Sequence, residues 1–399
     1  MDQMTHRERF LRVFDFKDVD RVPDYEFGFW GETIRRWHKE GLPPSLTSIV
    51  DVERYLGLEG FDCLEMIPVN TGLYPPPKQE IIGYEKDGRV VVKDDLGGVY
   101  VLIVETSSVA RNIKYPLTER EDWKKRFKPR LNPNEPKRFP ADPESKDERT
   151  KLMAEEYLLS GILQIPEIFP SKTIFWSDLI ESYRNRDYPL GLFVGSLYGW
   201  LRNWMGVERI SVAFYRNPDW VAEMMDDLVE LWIQILHKVL KYVKPDFTLW
   251  WEDMASNTGP LISPSLFEEF MVPRYRRVIK LLEEHGVRVH IVDCDGNIDK
   301  LVPGWLKAGI NCMMPVEARA NDVIRLREKY GKKLLLLGCI DKFAVMKGEK
   351  YIEREFNRLN PLLEEGGFIP MIDHRCPPEI SYSSYLKYLQ MKRRWISKV

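Results

Sequence analysis

The stretches VHIVDCDGN (residues 289–297) and MIDHRCPPE (residues 371–379) decide how this chain reads. Each is a short apolar run that ends abruptly in potential metal ligands and proton carriers. In the first, Ile291 and Val292 lead into Asp293, Cys294 and Asp295, and Gly296 then turns the chain. In the second, Ile372 leads into Asp373, His374 and Cys376, and Pro377-Pro378 stops the strand. Polar residues at the C-terminal ends of several buried strands are what a (β/α)8 barrel uses to build an active site. An enzyme on such a barrel is the leading reading.

Working outward, eight short apolar runs can be placed, at residues 22–28, 61–67, 190–195, 247–252, 287–293, 310–315, 334–339 and 368–373. Between them lie segments of helical period, such as residues 218–243 and 264–285. Alternating strand and helix predicts parallel strands with crossover helices, and eight units favour a closed barrel over an open sheet. The 399 residues therefore read as a single α/β domain, a (β/α)8 TIM barrel.

The spacing is uneven after the second run, where an insertion at about residues 75–170 is expected. Residues 84–104 alternate and carry Asp-Gly and Gly-Gly signals, so they predict a small antiparallel ribbon. Residues 126–149 are rich in Pro and charge and predict an extended surface connection. The insertion reads equally as a cover for the barrel mouth or as a peripheral, homodimer-forming element.

Bulk properties exclude several classes. A net charge of −2 gives no reason to expect nucleic acid or an anionic membrane as partner. There is no apolar run of about 18 residues, so no membrane span is expected. The opening MDQMTHRERFLRVFDF is charged and unlike a secretory signal, and five irregularly spaced cysteines suit a reducing, cytoplasmic setting. Walker A, GxGxxG, GxSxG and HExxH sequences do not occur.

Three roles are open to the Asp293, Asp295 and His374 group. Two carboxylates and an imidazole suit a divalent metal, and Cys294 could add a thiolate and favour zinc. The same residues suit acid–base work or substrate binding, and Asp295-Gly-Asn is also an ordinary helix-capping turn. Glu252 and Asp253 end the fourth run; adjacent acids on a strand point opposite ways, so one of them faces the lumen. His290 reads as a core histidine. The aromatic-rich stretches YEFGFWGE (residues 25–32) and SLYGWLRNWM (residues 196–205) offer Glu26, Phe29, Tyr198, Trp200 and Arg202 as pocket lining.

At these residues the chain resembles the uroporphyrinogen decarboxylase superfamily, in particular the branch near corrinoid-dependent methyltransferases. The resemblance rests on MTHRERFLRVFDFKDVDRVP (residues 4–23), GPLISPSLFEEFMVPRYRRVI (residues 259–279), Gly296-Asn297 and CPPEISYSSYLKYL (residues 376–389). It implies a (β/α)8 barrel. True decarboxylases of the superfamily carry an arginine-rich motif after strand one and an aspartate after strand two. Here YEFGFWGE stands in the first place, with no arginine until Arg35, and residues 63–81 contain no aspartate. The methyltransferase branch holds zinc through His-x-Cys-Gly-Asn and Cys-Gly-x-Pro-Pro. Aligned on Gly296-Asn297 and on Pro377-Pro378, this chain has Asp293, Asp295 and His374 at ligand positions.

The resemblance thus implies transfer of a methyl group from a methoxylated or methylated small molecule to a corrinoid carried by a partner protein. Asp293, Asp295 and His374 would activate the donor oxygen, directly or through a divalent metal such as zinc, with Glu252 assisting. A decarboxylase-like lyase on another substrate, or a non-catalytic corrinoid or tetrapyrrole binder, are the alternatives.

Overall fold

The computed structural model describes residues 3–86, 88–102, 110–146, 151–152 and 174–398. Each of the eight apolar runs contains a strand. They are β1 (Tyr25–Glu26), β2 (Gly60–Phe61, continued by Glu65–Met66), β3 (Leu190–Gly195), β4 (Phe247–Trp251), β5 (Val289–Asp293), β6 (Cys312–Met314), β7 (Leu335–Ile340) and β8 (Phe368–Ile372). The second piece of β2 starts a seven-stranded sheet that runs in chain order to β8, and every pairing in it is parallel. The first piece of β2 pairs in parallel with β1. The circle is completed just past β1 and β8, where Phe29 and Cys376 form a parallel bridge and the Cys376 N–H donates to Gly28 O at 2.9 Å. This is the architecture of a TIM-type barrel.

Helices return the chain between strands. Pro218–Val239, the longest at 22 residues, begins with a proline in its first turn, where no N–H partner is needed. Its Trp232 meets Trp250 of β4 edge-to-face at 5.7 Å, and Tyr275 of the helix Val272–Glu284 meets the same ring at 5.3 Å. Trp250 therefore faces the helical layer. By strand alternation Trp251, and Asp293 paired beside it on β5, face the lumen, and both keep partial accessibility. The same alternation puts His290 against Thr248 on the outer side of the strands, with Nδ1 2.8 Å from Thr248 Oγ1.

The expected ribbon is a four-stranded antiparallel sheet of Gln79–Tyr84, Val90–Asp94, Val99–Leu102 and Arg111–Lys114; residues 87, 103 and 104 of that reading lie outside the described residues. The stretch after it, mostly exposed or half-buried, is anchored by a few buried side chains. Residues 126–146 bury Phe127, Leu131, Arg138 and Phe139, and Arg138 Nη1 donates to Asn70 O at 2.9 Å and Gly72 O at 2.6 Å. Through Arg138 the segment is tied to the residues that follow β2; its continuation at 147–149 and the 153–170 part of the insertion lie outside the described residues. Among the described residues no helix is long and apolar enough to cross a membrane.

Candidate active site

The C-terminal ends of the strands converge on one mouth, and backbone strain marks it. Among the described non-glycine residues four have positive φ, and three of these sit where barrel strands end: Asp253 at 42°, Val316 at 49° and Cys339 at 72°. A β-branched residue such as Val316 rarely adopts this conformation, so the surrounding fold must impose it.

His374 is the first pivot of the site. Its Nε2 lies 3.4 Å from Asp295 Oδ2, and its ring stacks along Trp30 at 5.6 Å, with Phe27 edge-on at 6.3 Å. The two side chains are 24% and 35% exposed, so the pair is open to a ligand. Burial pulls the imidazole pKa down, but the hydrogen bond and charge of Asp295 outweigh it, and the net direction is up. The cationic form of an oriented imidazole is thereby favoured. Asp295 Oδ1 is buried and has no hydrogen-bond partner among the described residues.

Asp293 is the second pivot. Burial, followed by the charges of Asp295 and Asp253, pushes its carboxyl well above the usual range, although Arg375 acts against this. Carboxylates this crowded disfavour one another's ionised forms, so the protonated form of Asp293 is favoured. Asp253 is raised as well, by burial first and then by Asp295, although Arg202 opposes the shift. Arg202 Nη1 pairs with Asp253 Oδ2 at 2.8 Å, and its guanidinium lies over Trp251 at 5.1 Å.

The structure brings Asp293, Asp295, His374 and Arg202 to the mouth. It takes the other expected residues elsewhere. Glu252 is fully buried: its carboxylate accepts from the N–H groups of Leu197 and Tyr198 at 2.7 Å each and Gly199 at 3.2 Å. Ser196 and Tyr275 hydroxyls complete the shell. Glu252 thus caps the helix Tyr198–Met205, and Asp253 is the acid that looks into the mouth. Glu26 is likewise spent, held by Lys392 Nζ at 2.6 Å and the Tyr388 hydroxyl at 2.7 Å, both fully buried. Phe29 packs on Trp37 and Tyr385 at 5.0 and 5.4 Å, Trp200 on Trp204 and Trp232 at 5.9 and 5.8 Å, and Tyr198 is wholly inside. These aromatics are core, and Trp30 and Trp251, both partly accessible, line the mouth in their place, with Phe27 buried edge-on to His374.

Sequence reasoning also missed three groups. Lys342, just after β7, lies 3.5 Å from Glu317 and 3.6 Å from Asp373. Arg375 grips Asp62 with two bonds of 3.0 Å. Lys342 follows a strand end closely, so the rule that singled out Asp293 and Asp373 could have found it. Asp62 sits in a break within β2, which no sequence pattern announced.

The residues do not fit a preformed metal centre. Among the described residues no three His, Cys, Asp or Glu side chains gather as a ligand set. Cys294 is 1% exposed, its sulfur accepts the Met254 N–H at 3.3 Å, and burial pushes its thiol far up, as it does that of Cys376. Neither supplies a thiolate.

The family model described as Uroporphyrinogen decarboxylase (URO-D) matches residues 176–391. Among solved structures, a methyltransferase from Methanosarcina mazei is similar over 98% of each chain, with a TM-score of 0.60 and 15% sequence identity. At that identity the likeness is one of fold. A B12-independent methionine synthase from Shewanella sp., in complex with selenomethionine, covers 62% of this chain and 76% of its own at 13% identity, and its TM-score of 0.34 carries no argument. No curated protein matches the chain.

Proposed function

The chain belongs to the uroporphyrinogen decarboxylase (URO-D) family, and from that premise we propose that it is a methyltransferase acting on a methoxylated or methylated small molecule. The observation that carries the reading is the His374–Asp295 pair at the mouth. An alkoxide or phenoxide is a poor leaving group, and an imidazolium aimed at the ether oxygen makes it a neutral alcohol. Positioned proton donors of this kind contribute about 10²- to 10⁴-fold. Asp295 holds the ring and its charge, and the protonated Asp293 offers a second donor to the same oxygen. Trp30 and Trp251, both partly accessible, supply flat walls for an aromatic or methyl-bearing donor. A corrinoid on a partner protein would supply the nucleophile that takes the methyl group. No step passes through a metal.

Charge pairing supports this reading over decarboxylation of a polycarboxylate. Arg202 is held by Asp253, Arg375 by Asp62, and Lys342 lies between Glu317 and Asp373. A substrate with many carboxylates would meet cations already matched by acids.

Spectroscopy tests the proposal. Conversion of cob(I)alamin to methylcobalamin should require both the protein and a methyl donor, and should not occur with the demethylated analogue. Absence of conversion across alkyl methyl ethers, aryl methyl ethers and methylated amines would overturn it.

A further inference from the structure

Three of the four residues that follow β8 are fixed by four other parts of the barrel. Asp373 accepts the N–H of Ala318, after β6, at 2.9 Å and the N–H of Lys342, after β7, at 3.1 Å. Cys376 bonds to the loop after β1 through Gly28 O at 2.9 Å and the Trp30 N–H at 3.3 Å. Arg375 reaches β2 and takes both oxygens of Asp62 at 3.0 Å. His374, between them, is the residue left to present its side chain to Asp295 and Trp30.

The Arg375–Asp62 pair is enclosed, with side chains 7% and 6% exposed, and the guanidinium lies over Phe27 at 5.1 Å. Its space is reserved by Gly28. A Cβ there would fall 2.1 Å from Asp62 Oδ2 and 2.6 Å from Arg375 Nη1, and the backbone has φ +66°, which suits glycine. A fork-to-fork pair fixes direction as well as distance. It has a second consequence. Arg375 is close enough to act electrostatically on Asp293, and a buried guanidinium without a partner seeks another carboxylate.

We propose that Asp62 and Arg375 are positioning residues of the His374 site, the pair anchoring the turn that aims the imidazole and holding the guanidinium away from Asp293 and Asp295. This deepens the reading of His374 as proton donor and rests on it.

The test reads the imidazole itself, so it stands apart from any assay of methyl transfer. The full chain is labelled with ¹⁵N-histidine, and His374 is assigned as the side-chain signal missing from His374→Gln. In Asp62→Asn the freed guanidinium should turn to Asp293 or Asp295, and the His374 ring-nitrogen signals should shift. The neutral pair Asp62→Asn with Arg375→Gln should return them toward wild type, which a general loss of packing would not do. Arg375→Lys, which keeps the charge and loses the fork, should also displace the signal and covers the case in which Asp62→Asn does not fold. His374 signals unchanged in a folded Asp62→Asn or Arg375→Lys protein would overturn the proposal. Failure of the methyltransferase reading would show instead as absent conversion with this signature intact.

Discussion

His374 Nε2 and Asp295 Oδ2 are 3.4 Å apart at the mouth of the barrel, while the imidazole plane is laid against Trp30. The carboxylate fixes one nitrogen and the indole fixes the ring plane, so the proton donor is oriented before a substrate arrives. The pair joins the ends of β5 and β8, which are far apart in sequence.

Asp295→Asn keeps the shape of the side chain and removes its charge. His374 has a raised pKa, so its protonated form is complete below that pKa and is lost as pH rises through it. Without Asp295, burial, the largest influence, lowers the pKa, joined by Lys342 and opposed by Glu317. The alkaline limb of kcat/KM should move to lower pH, with a loss at neutral pH of about 10-fold or more. An alkaline limb that stays in place would contradict the role given to Asp295.

Lys392→Met should damage the fold rather than substrate binding. Its ammonium is fully buried and pairs with Glu26 at 2.6 Å and Asp24 at 3.1 Å. Removing one partner of a buried pair costs about 3–5 kcal/mol. Urea denaturation should show that loss; a wild-type midpoint combined with a raised KM would return Glu26 to the substrate site.

Glu53 gives a pH-dependent stability. It lies behind β2, where burial, and then the charge of Asp62, push its carboxyl up to about 8. The folded chain therefore binds a proton that the unfolded chain releases near 4.5, and stability falls as pH rises through the window between these values. Glu53→Gln should flatten that fall and raise Tm relative to wild type at pH 9, with little gain at pH 5. Parallel Tm curves for the two proteins would refute the assignment.

Metal content is the fourth expectation. With no ligand set gathered and both nearby thiols buried, purified protein should hold substoichiometric zinc, and chelator should leave its methyl-transfer rate unchanged. One zinc per chain, lost in both Asp295→Ala and His374→Ala, would establish the metal site that the sequence resemblance implied.

The barrel was legible because burial on both faces makes parallel strands read as apolar runs. The ends of β5 and β8 were legible for the same reason: acids directly after such runs stand out. Which acid faces inward was not. Glu252 and Asp253 look alike in sequence, and the choice is made by the turn at Asp253, φ 42°, together with the N–H groups waiting at Leu197–Gly199. Aromatics were the weakest signal. Phe29 is core and Trp30 is lining, and nothing in YEFGFWGE separates neighbours that alternate in direction. Asp62 and Arg375 are 313 residues apart, so only the closed barrel brings them together.

The central claim is that His374 delivers the proton in methyl transfer. The most direct measurement is the rate of methylcobalamin formation from a methoxylated donor by wild type and by His374→Gln, both checked for native fold by circular dichroism. The account predicts a folded variant slowed by about 10²-fold or more. A folded His374→Gln protein that transfers methyl groups at the wild-type rate would contradict it.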